Sequence, residues 1–219
     1  QKQAFLMREI IDTTGAIETV CRIFKQSIQA AKTPLTALKT PCCAPDKKWS
    51  IFVTVPDHPD TFLAQLEAIA FNSRDQGDYE IILLEPHQIS DDIRRIADSL
   101  TGDIQRILVR KGHHWISTLN TAAASARGER LIFLEKNLAP LKGWLACLNK
   151  AFSTHGNKKA FGGRICDTSG RIIGSGMVVD RNNAPVPAYH HLFVAFPPAC
   201  KERSFQMVDL MLAVERDLF

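Results

Sequence analysis

The sequence has no apolar run that approaches the roughly 18 residues needed to cross a bilayer. It does not begin with a basic stretch followed by an apolar one, so a secretory signal peptide is not supported. Its cysteines lie at positions 21, 42, 43, 147, 166 and 200, without a Cys-x-x-Cys pair. These absences argue against a membrane-spanning chain, a zinc site and a disulfide framework, and a reducing cytosol fits best.

Neither sign of charge is strongly in excess. The 219 residues include 27 Lys and Arg against 23 Asp and Glu, a formal net charge of +4. That slight excess permits phosphate-bearing ligands or an anionic membrane surface, and it does not require nucleic acid. We therefore expect a cytoplasmic protein without a nucleic-acid partner, with peripheral contact at the inner membrane as a further option.

Apolar runs typical of buried strands alternate with helical patterns along the chain. The runs are SIFVTV (50–55), YEIILLE (79–85), DIQRILVR (103–110) and RLIFLE (130–135). Helical spacing occurs at 60–73, 91–100, 115–128 and 141–155. This alternation predicts an α/β fold, with a mostly parallel central sheet and helices on both of its faces.

The chain ahead of the first run has a different character. Apolar residues at helical spacing predict an amphipathic helical segment over 1–33, which could mediate self-association, lie on a membrane or pack on its own domain. Three prolines interrupt 34–48, which we interpret as a linker. The α/β domain would then span 49–219. Because the sequence stops abruptly after AVERDLF, we expect this domain to be truncated at its C-terminal end.

Polar residues follow each predicted strand. In open α/β sheets, ligands bind outside the carboxyl ends of the strands. Those ends are Pro56-Asp57, Glu85-Pro86, Arg110-Lys111 and Glu135-Lys136-Asn137. The sequence therefore predicts a binding edge at these residues, with Glu135 facing Glu85.

The triplet Glu135-Lys136-Asn137 allows more than one chemistry. Glu135 and Asn137 carry oxygen atoms, the ligands that Mg²⁺ and Mn²⁺ prefer. Lys136 could instead neutralise a phosphate as a point charge. An exposed strand end, at which Asn137 forms a turn, is the interpretation that needs no ligand.

Several segments together resemble a known family. They are SIFVTVP, YEIILLE, NTAAASARGERLIFLEKNLAPLKGWL and GGRICDTSGRIIGSG. They resemble the family-two glycosyltransferases, which have the Rossmann-like nucleotide-diphospho-sugar transferase (GT-A) fold, and the last segment resembles the rhamnosyltransferase-like branch. The resemblance covers 49–219. It implies inverting transfer of a hexosyl or rhamnosyl group from a nucleotide-diphospho-sugar to a glycan or lipid-linked acceptor, as in bacterial polysaccharide biosynthesis.

The resemblance and the strand ends together select candidate site residues. The candidate ligands of the nucleotide sugar are Pro56, Asp57, Glu85, Lys111 and Glu135. Glu135 and Asn137 would hold Mg²⁺ or Mn²⁺, and Trp144 would lie on the acceptor side.

Three acidic landmarks depart from the family pattern. The family reads Asp-x-Asp where this chain has Glu135-Lys136-Asn137, which removes one formal negative charge. Metal should therefore bind weakly, and we expect none bound in this fragment. The acidic pair after the second strand becomes Glu85-Pro86. The catalytic base is expected beyond Phe219, so no catalytic residue is assigned. The alternative is a degenerate, inactive transferase domain that serves as a binding or scaffolding module of a larger protein.

Overall fold

A computed structural model describes residues 45–219 except 77, 110–114, 157–158, 182–183, 202–204, 206–207 and 209. The helical segment predicted for 1–33 and most of the predicted linker lie outside the described residues. Within the described part, four helices and nine strands follow one another along the chain.

A five-stranded sheet with the order β3-β2-β1-β4-β9 forms the centre of the fold. Its strands are β1 (Lys47–Thr54), β2 (Tyr79–Glu85), β3 (Ile104–Leu108), β4 (Gly128–Leu134) and β9 (Met211–Glu215). The first four run parallel, and β9 pairs antiparallel with β4 at one edge. The predicted mostly parallel sheet is confirmed.

Helices cover both faces of this sheet, as predicted. They are α1 (Pro59–Ser73), α2 (Asp91–Ser99), α3 (Trp115–Ser125) and α4 (Trp144–His155). Side chains of α1, α2 and α4 form one buried core with Ile51, Ile81 and Ile132 of the sheet. The alanine-rich α3 packs on the opposite face, against Phe52 and Ile82. The alternating side chains of buried parallel strands are thus enclosed on both sides.

Local chemistry explains where several helices begin. Pro59 occupies the first turn of α1, where its missing N–H leaves no hydrogen bond unmade. Ser90 caps α2, because its hydroxyl accepts a hydrogen bond from the Ile93 N–H. Gly143 has a φ of +84°, a left-handed conformation that delays the start of α4 to Trp144, three residues after the predicted position.

β1 begins at Lys47, two residues before the predicted start of the domain at 49. Lys47 pairs with Gly128, which is likewise a strand residue and not the helix end that we predicted. A Cβ on Gly128 would lie 2.4 Å from the Ser50 nitrogen. Glycine is therefore required here by the close approach of two strands.

Four short strands follow α4. They are β5 (Ile165–Cys166), β6 (Ile172–Gly174), β7 (Met177–Val179) and β8 (Pro185–Pro187). β5 and β6 pair antiparallel across a turn at 167–170. Asp167 closes this turn, because one carboxylate oxygen accepts hydrogen bonds from the backbone N–H groups of Ser169 and Arg171.

A buried carboxylate, that of Glu80, joins the amino-terminal parts of the central strands. Ser50 Oγ donates to one of its oxygens at 2.6 Å, and Arg127 Nε donates to the other at 2.9 Å. Gln105 Nε2 also donates to this second oxygen, at 2.9 Å. Since Ser50, Glu80 and Gln105 belong to β1, β2 and β3, the carboxylate cross-links three strands.

Arg127 extends this network to Asp103, to which it donates at 2.9 Å. Lys47 Nζ lies 2.7 Å from the other Asp103 oxygen. Burial alone would raise the pKa of Asp103, but the hydrogen bonds from Lys47 and Arg127 outweigh it and hold the pKa below its ordinary value. The polar groups at this end of the sheet are thus paired with one another, and they stabilise the fold.

Candidate functional site

A cavity of about 170 Å³ opens at the carboxyl ends of β1, β2 and β4. Its walls come from these strands, from the start of α3 and from the segment leading into β9. The described lining residues are Phe52, Thr54, Leu84, Trp115, Leu119, Phe133, Leu134, Glu135, Val208, Leu210, Met211 and Leu212. Glu135 is the one charged residue among them. The cavity is therefore mainly apolar and aromatic, with a single carboxylate.

Glu135 is exposed immediately after β4. Its backbone is fixed on two sides, since its N–H donates to the Leu210 carbonyl at 2.9 Å and its carbonyl accepts from Gln65 Nε2 at 3.2 Å. Its side chain accepts a hydrogen bond from the next backbone N–H, that of Lys136, at 3.1 Å. The predicted position of Glu135 at a cleft at the sheet edge agrees with this geometry.

Lys136 and Asp57 join the tips of two neighbouring strands. The Lys136 Nζ donates to Asp57 Oδ2 at 2.8 Å, and the two side chains are 45% and 71% exposed. The hydrogen bond to Asp57, together with its negative charge, raises the pKa of Lys136. Asp57, a predicted ligand of the nucleotide sugar, is thus bound to a cation of the same chain.

Asn137 has the conformation of a turn residue, with a φ of +67°. Asparagine tolerates this left-handed region better than most residues do, so the turn interpretation accounts for it. Across the described residues, no group of three His, Cys, Asp or Glu converges as metal ligands do. Because the Lys136 ammonium also occupies this tip, the described residues do not fit a divalent cation here.

Glu85 does not face Glu135, and that part of the prediction is wrong. Its neighbour Leu84 lines the cavity, and successive strand residues point to opposite faces. On the other face, Arg106 donates to both Glu85 oxygens and also to Asp98. The hydrogen bond to Glu85 is the main cause of the raised pKa of Arg106. With 7% of its surface exposed, Glu85 is engaged in a buried ion pair.

The other predicted site residues have varied surroundings. Pro56 is buried just after β1. Lys111 lies outside the described residues. Trp144 packs against the core, and its indole N–H donates to Ser73 Oγ at 3.0 Å. Packing explains Trp144 fully, and its acceptor-side role stays a prediction.

Sequence reasoning missed the wall built by Trp115 and Leu119 together with Val208 and residues 210–212. The sequence pattern assigns Trp115 and Leu119 to a helix and to no site. Helical periodicity indicates which residues share a face, but it does not indicate that the first turn of α3 reaches the carboxyl edge of the sheet. Val208 and Leu210 carry no recognisable signal, because their position depends on β9 pairing across the sheet.

No protein-family model and no curated protein matches the sequence. Solved structures do match it. One is GalNAc-T7 with UDP, GalNAc and Mn²⁺, with a TM-score of 0.52 and 13% identity over 79% of this chain. The fold is that of the nucleotide-diphospho-sugar transferases. This chain covers 35% of GalNAc-T7.

Two further structures match this chain with lower TM-scores. The mannosyltransferase PcManGT from Pyrobaculum calidifontis, in complex with GDP-Man and Mn²⁺, has a TM-score of 0.44 and 18% identity, over 70% of this chain and 44% of that one. The 4-diphosphocytidyl-2C-methyl-D-erythritol synthase from Anaerococcus prevotii DSM 20548 has a TM-score of 0.47 and 12% identity, over 78% and 73%. Among the described helices, none combines the length and apolarity needed to cross a membrane.

Proposed function

We propose that this chain is a glycosyltransferase domain that binds a nucleotide-diphospho-sugar at the cavity and transfers its sugar to a glycan or lipid-linked acceptor. The observation that supports this most is the position of the cavity. It lies at the carboxyl ends of parallel strands, where open α/β sheets bind ligands, and it has aromatic walls with a cation nearby. Small-molecule sites are typically apolar clefts with a few polar groups.

Two parts of the donor, the nucleobase and the diphosphate, have candidate surfaces. Trp115, which is 38% exposed, offers an aromatic ring on which a nucleobase could stack, whereas Phe133 already stacks on Phe52 and Phe219. The diphosphate would extend along the strand tips toward Lys136. In an inverting transfer, an acceptor hydroxyl attacks the anomeric carbon, loses its proton to a general base, and expels the nucleoside diphosphate. We assign that base to none of the described residues.

The finer details of this proposal come from the sequence resemblance. It supports a hexosyl or rhamnosyl donor, inversion at the anomeric carbon, and a part in bacterial polysaccharide biosynthesis in the cytoplasm, with peripheral contact at the inner membrane as an option. Self-association through residues 1–33 is also a proposal, and it is based on the apolar residues at helical spacing in that segment.

A second candidate function is a degenerate domain that binds without catalysis. Two ion pairs favour it specifically. Glu85 and Asp57, which we expected to contact the donor, are bound to Arg106 and Lys136 instead. A buried carboxylate that already accepts two hydrogen bonds from a partly buried guanidinium has little capacity left for a ribose hydroxyl.

Ligand binding and product release separate these candidates. We would measure the melting temperature with UDP, GDP and dTDP, and then nucleoside diphosphate release from the matching sugar nucleotides. A ligand at 100 times its Kd stabilises the native state by about 2.7 kcal/mol. The Trp115→Ala variant should bind more weakly, whereas Phe71→Ala, which removes another exposed aromatic ring on α1, should bind normally.

The outcomes are distinct. Binding that depends on Trp115 together with product release supports the transferase. Binding without release supports the degenerate domain. If no nucleotide shifts the melting temperature, both candidates are wrong.

A further inference from the structure

The tip of β4 carries a positive charge where the family pattern predicts a metal site. Lys136 lies between Glu135, which lines the cavity, and Asn137, which turns the chain. A metal ion in this position would serve to neutralise the diphosphate of a nucleotide sugar. An ammonium group can supply the same charge compensation as a point charge.

The turn that carries Lys136 is held in place by α1. Gln65 donates to the Glu135 carbonyl at 3.2 Å, and Asn72 donates to the Pro140 carbonyl at 2.8 Å. These bonds fix the backbone on both sides of Lys136. A binding group carried on such a supported turn loses less conformational entropy when it engages a ligand.

The ion pair between Lys136 and Asp57 is weak enough for a phosphate group to replace Asp57. The two side chains are 45% and 71% exposed, and an exposed ion pair typically contributes little to stability. The terminal phosphate of a nucleoside diphosphate carries more negative charge and more acceptor oxygens than the Asp57 carboxylate. It would therefore compete well for the ammonium group.

We propose that Lys136 takes the place of the divalent metal: its ammonium leaves Asp57 and binds the diphosphate, so that nucleotide binding requires no metal. This inference rests on the proposed donor site. Asp57 then acts as a competitor that holds Lys136 in the absence of nucleotide. The exchange breaks one ion pair and forms another, and no covalent bond changes.

Calorimetric titration of UDP and GDP into the purified chain tests the proposal, once with EDTA and once with Mn²⁺. The wild-type affinity should be the same in both. Lys136→Met should weaken binding about tenfold or more, as expected for the loss of a hydrogen bond between charged groups. Lys136→Arg should retain most of the affinity, because the positive charge remains.

Two further variants complete the design. Asp57→Asn should tighten binding several-fold, about as much as a weak surface ion pair would allow, because Lys136 loses the carboxylate to which it donates, while the charge of Glu135 remains. Lys142→Met removes an exposed lysine six positions further along the same segment and should leave the affinity unchanged. Thermal melts of the variants verify that each is folded.

The results distinguish this inference from the proposed function. Binding that EDTA abolishes, or that is equal in wild type and Lys136→Met, overturns the role of Lys136 and leaves the donor site intact. An unchanged affinity in Asp57→Asn overturns the competitor role. If the wild-type chain binds neither nucleotide under either condition, the donor site and this inference fall together.

Discussion

Replacing Arg127 with Met would remove the guanidinium that donates to Glu80 and Asp103, at 2.9 Å in each case. The Glu80 side chain has no exposed surface, so its charge would remain buried without this partner. Breaking a buried ion pair from one side typically costs about 3–5 kcal/mol. Because Ser50 and Gln105 still donate to the carboxylate, we expect the lower end, about 3 kcal/mol.

The free energy of unfolding, measured by urea denaturation followed by circular dichroism, checks this value. A loss of about 3 kcal/mol is a large part of the 5–15 kcal/mol typical of a domain. Arg95→Met is the matched control, because it breaks an exposed pair with Asp92 and should cost less than about 1 kcal/mol. If Arg127→Met costs no more than this control, water reaches Glu80 and our reasoning about its burial is wrong.

Three further predictions concern packing and ionisation. Gly128→Ala should cost about 3 kcal/mol or more, because its Cβ would overlap the Ser50 backbone. Gly156→Ala meets no neighbouring atom and should cost less, about 1–2 kcal/mol, for a backbone with a φ of +77° and a ψ of 176° that favours glycine. Urea denaturation compares the two variants. The lowered pKa of Asp103 stabilises the fold above the ordinary aspartate pKa of 3.8, and this contribution should be lost as the pH falls through the lowered value. In Asp103→Asn, the acid dependence of the unfolding free energy should be weaker than in wild type, and an equal slope would contradict this assignment. Burial raises the pKa of Tyr79 to about 12, so its stabilising effect should be complete below pH 10 and decline as the pH approaches 12. Ultraviolet titration of the native and unfolded chain should show the delayed ionisation, and a native Tyr79 that ionises near 10 would refute it.

The central sheet was predictable because the sequence marks each strand independently. YEIILLE is a continuous apolar run between polar residues, and β2 has the predicted bounds Tyr79–Glu85. The helices between the runs are long enough for crossover connections, which makes parallel pairing the expected arrangement. The fold class, and the edge of the sheet at which the cavity lies, therefore follow from patterns within short windows of sequence.

The partners of the charged residues could not be predicted in the same way. Glu85 meets Arg106 only because the register of β2 and β3 brings Arg106 alongside Leu83. Lys136 and Asp57 are 79 residues apart and meet because β4 and β1 are neighbours. Both contacts depend on strand order and register, which no local pattern encodes. A role assigned to Glu85 or Asp57 from the sequence therefore leaves out the cation with which each residue pairs.

The antiparallel strand β9 has a consequence for synthesis of the chain. Until Met211–Glu215 emerges from the ribosome, β4 is the edge of the sheet, and its backbone N–H and C=O groups on that side are unpaired. Such an edge can recruit strands from other chains, so nascent or proteolysed chains that lack β9 should aggregate readily. The same strand carries Met211 and Leu212 into the cavity wall. Protection of the sheet edge and completion of the cavity wall thus depend on the same strand.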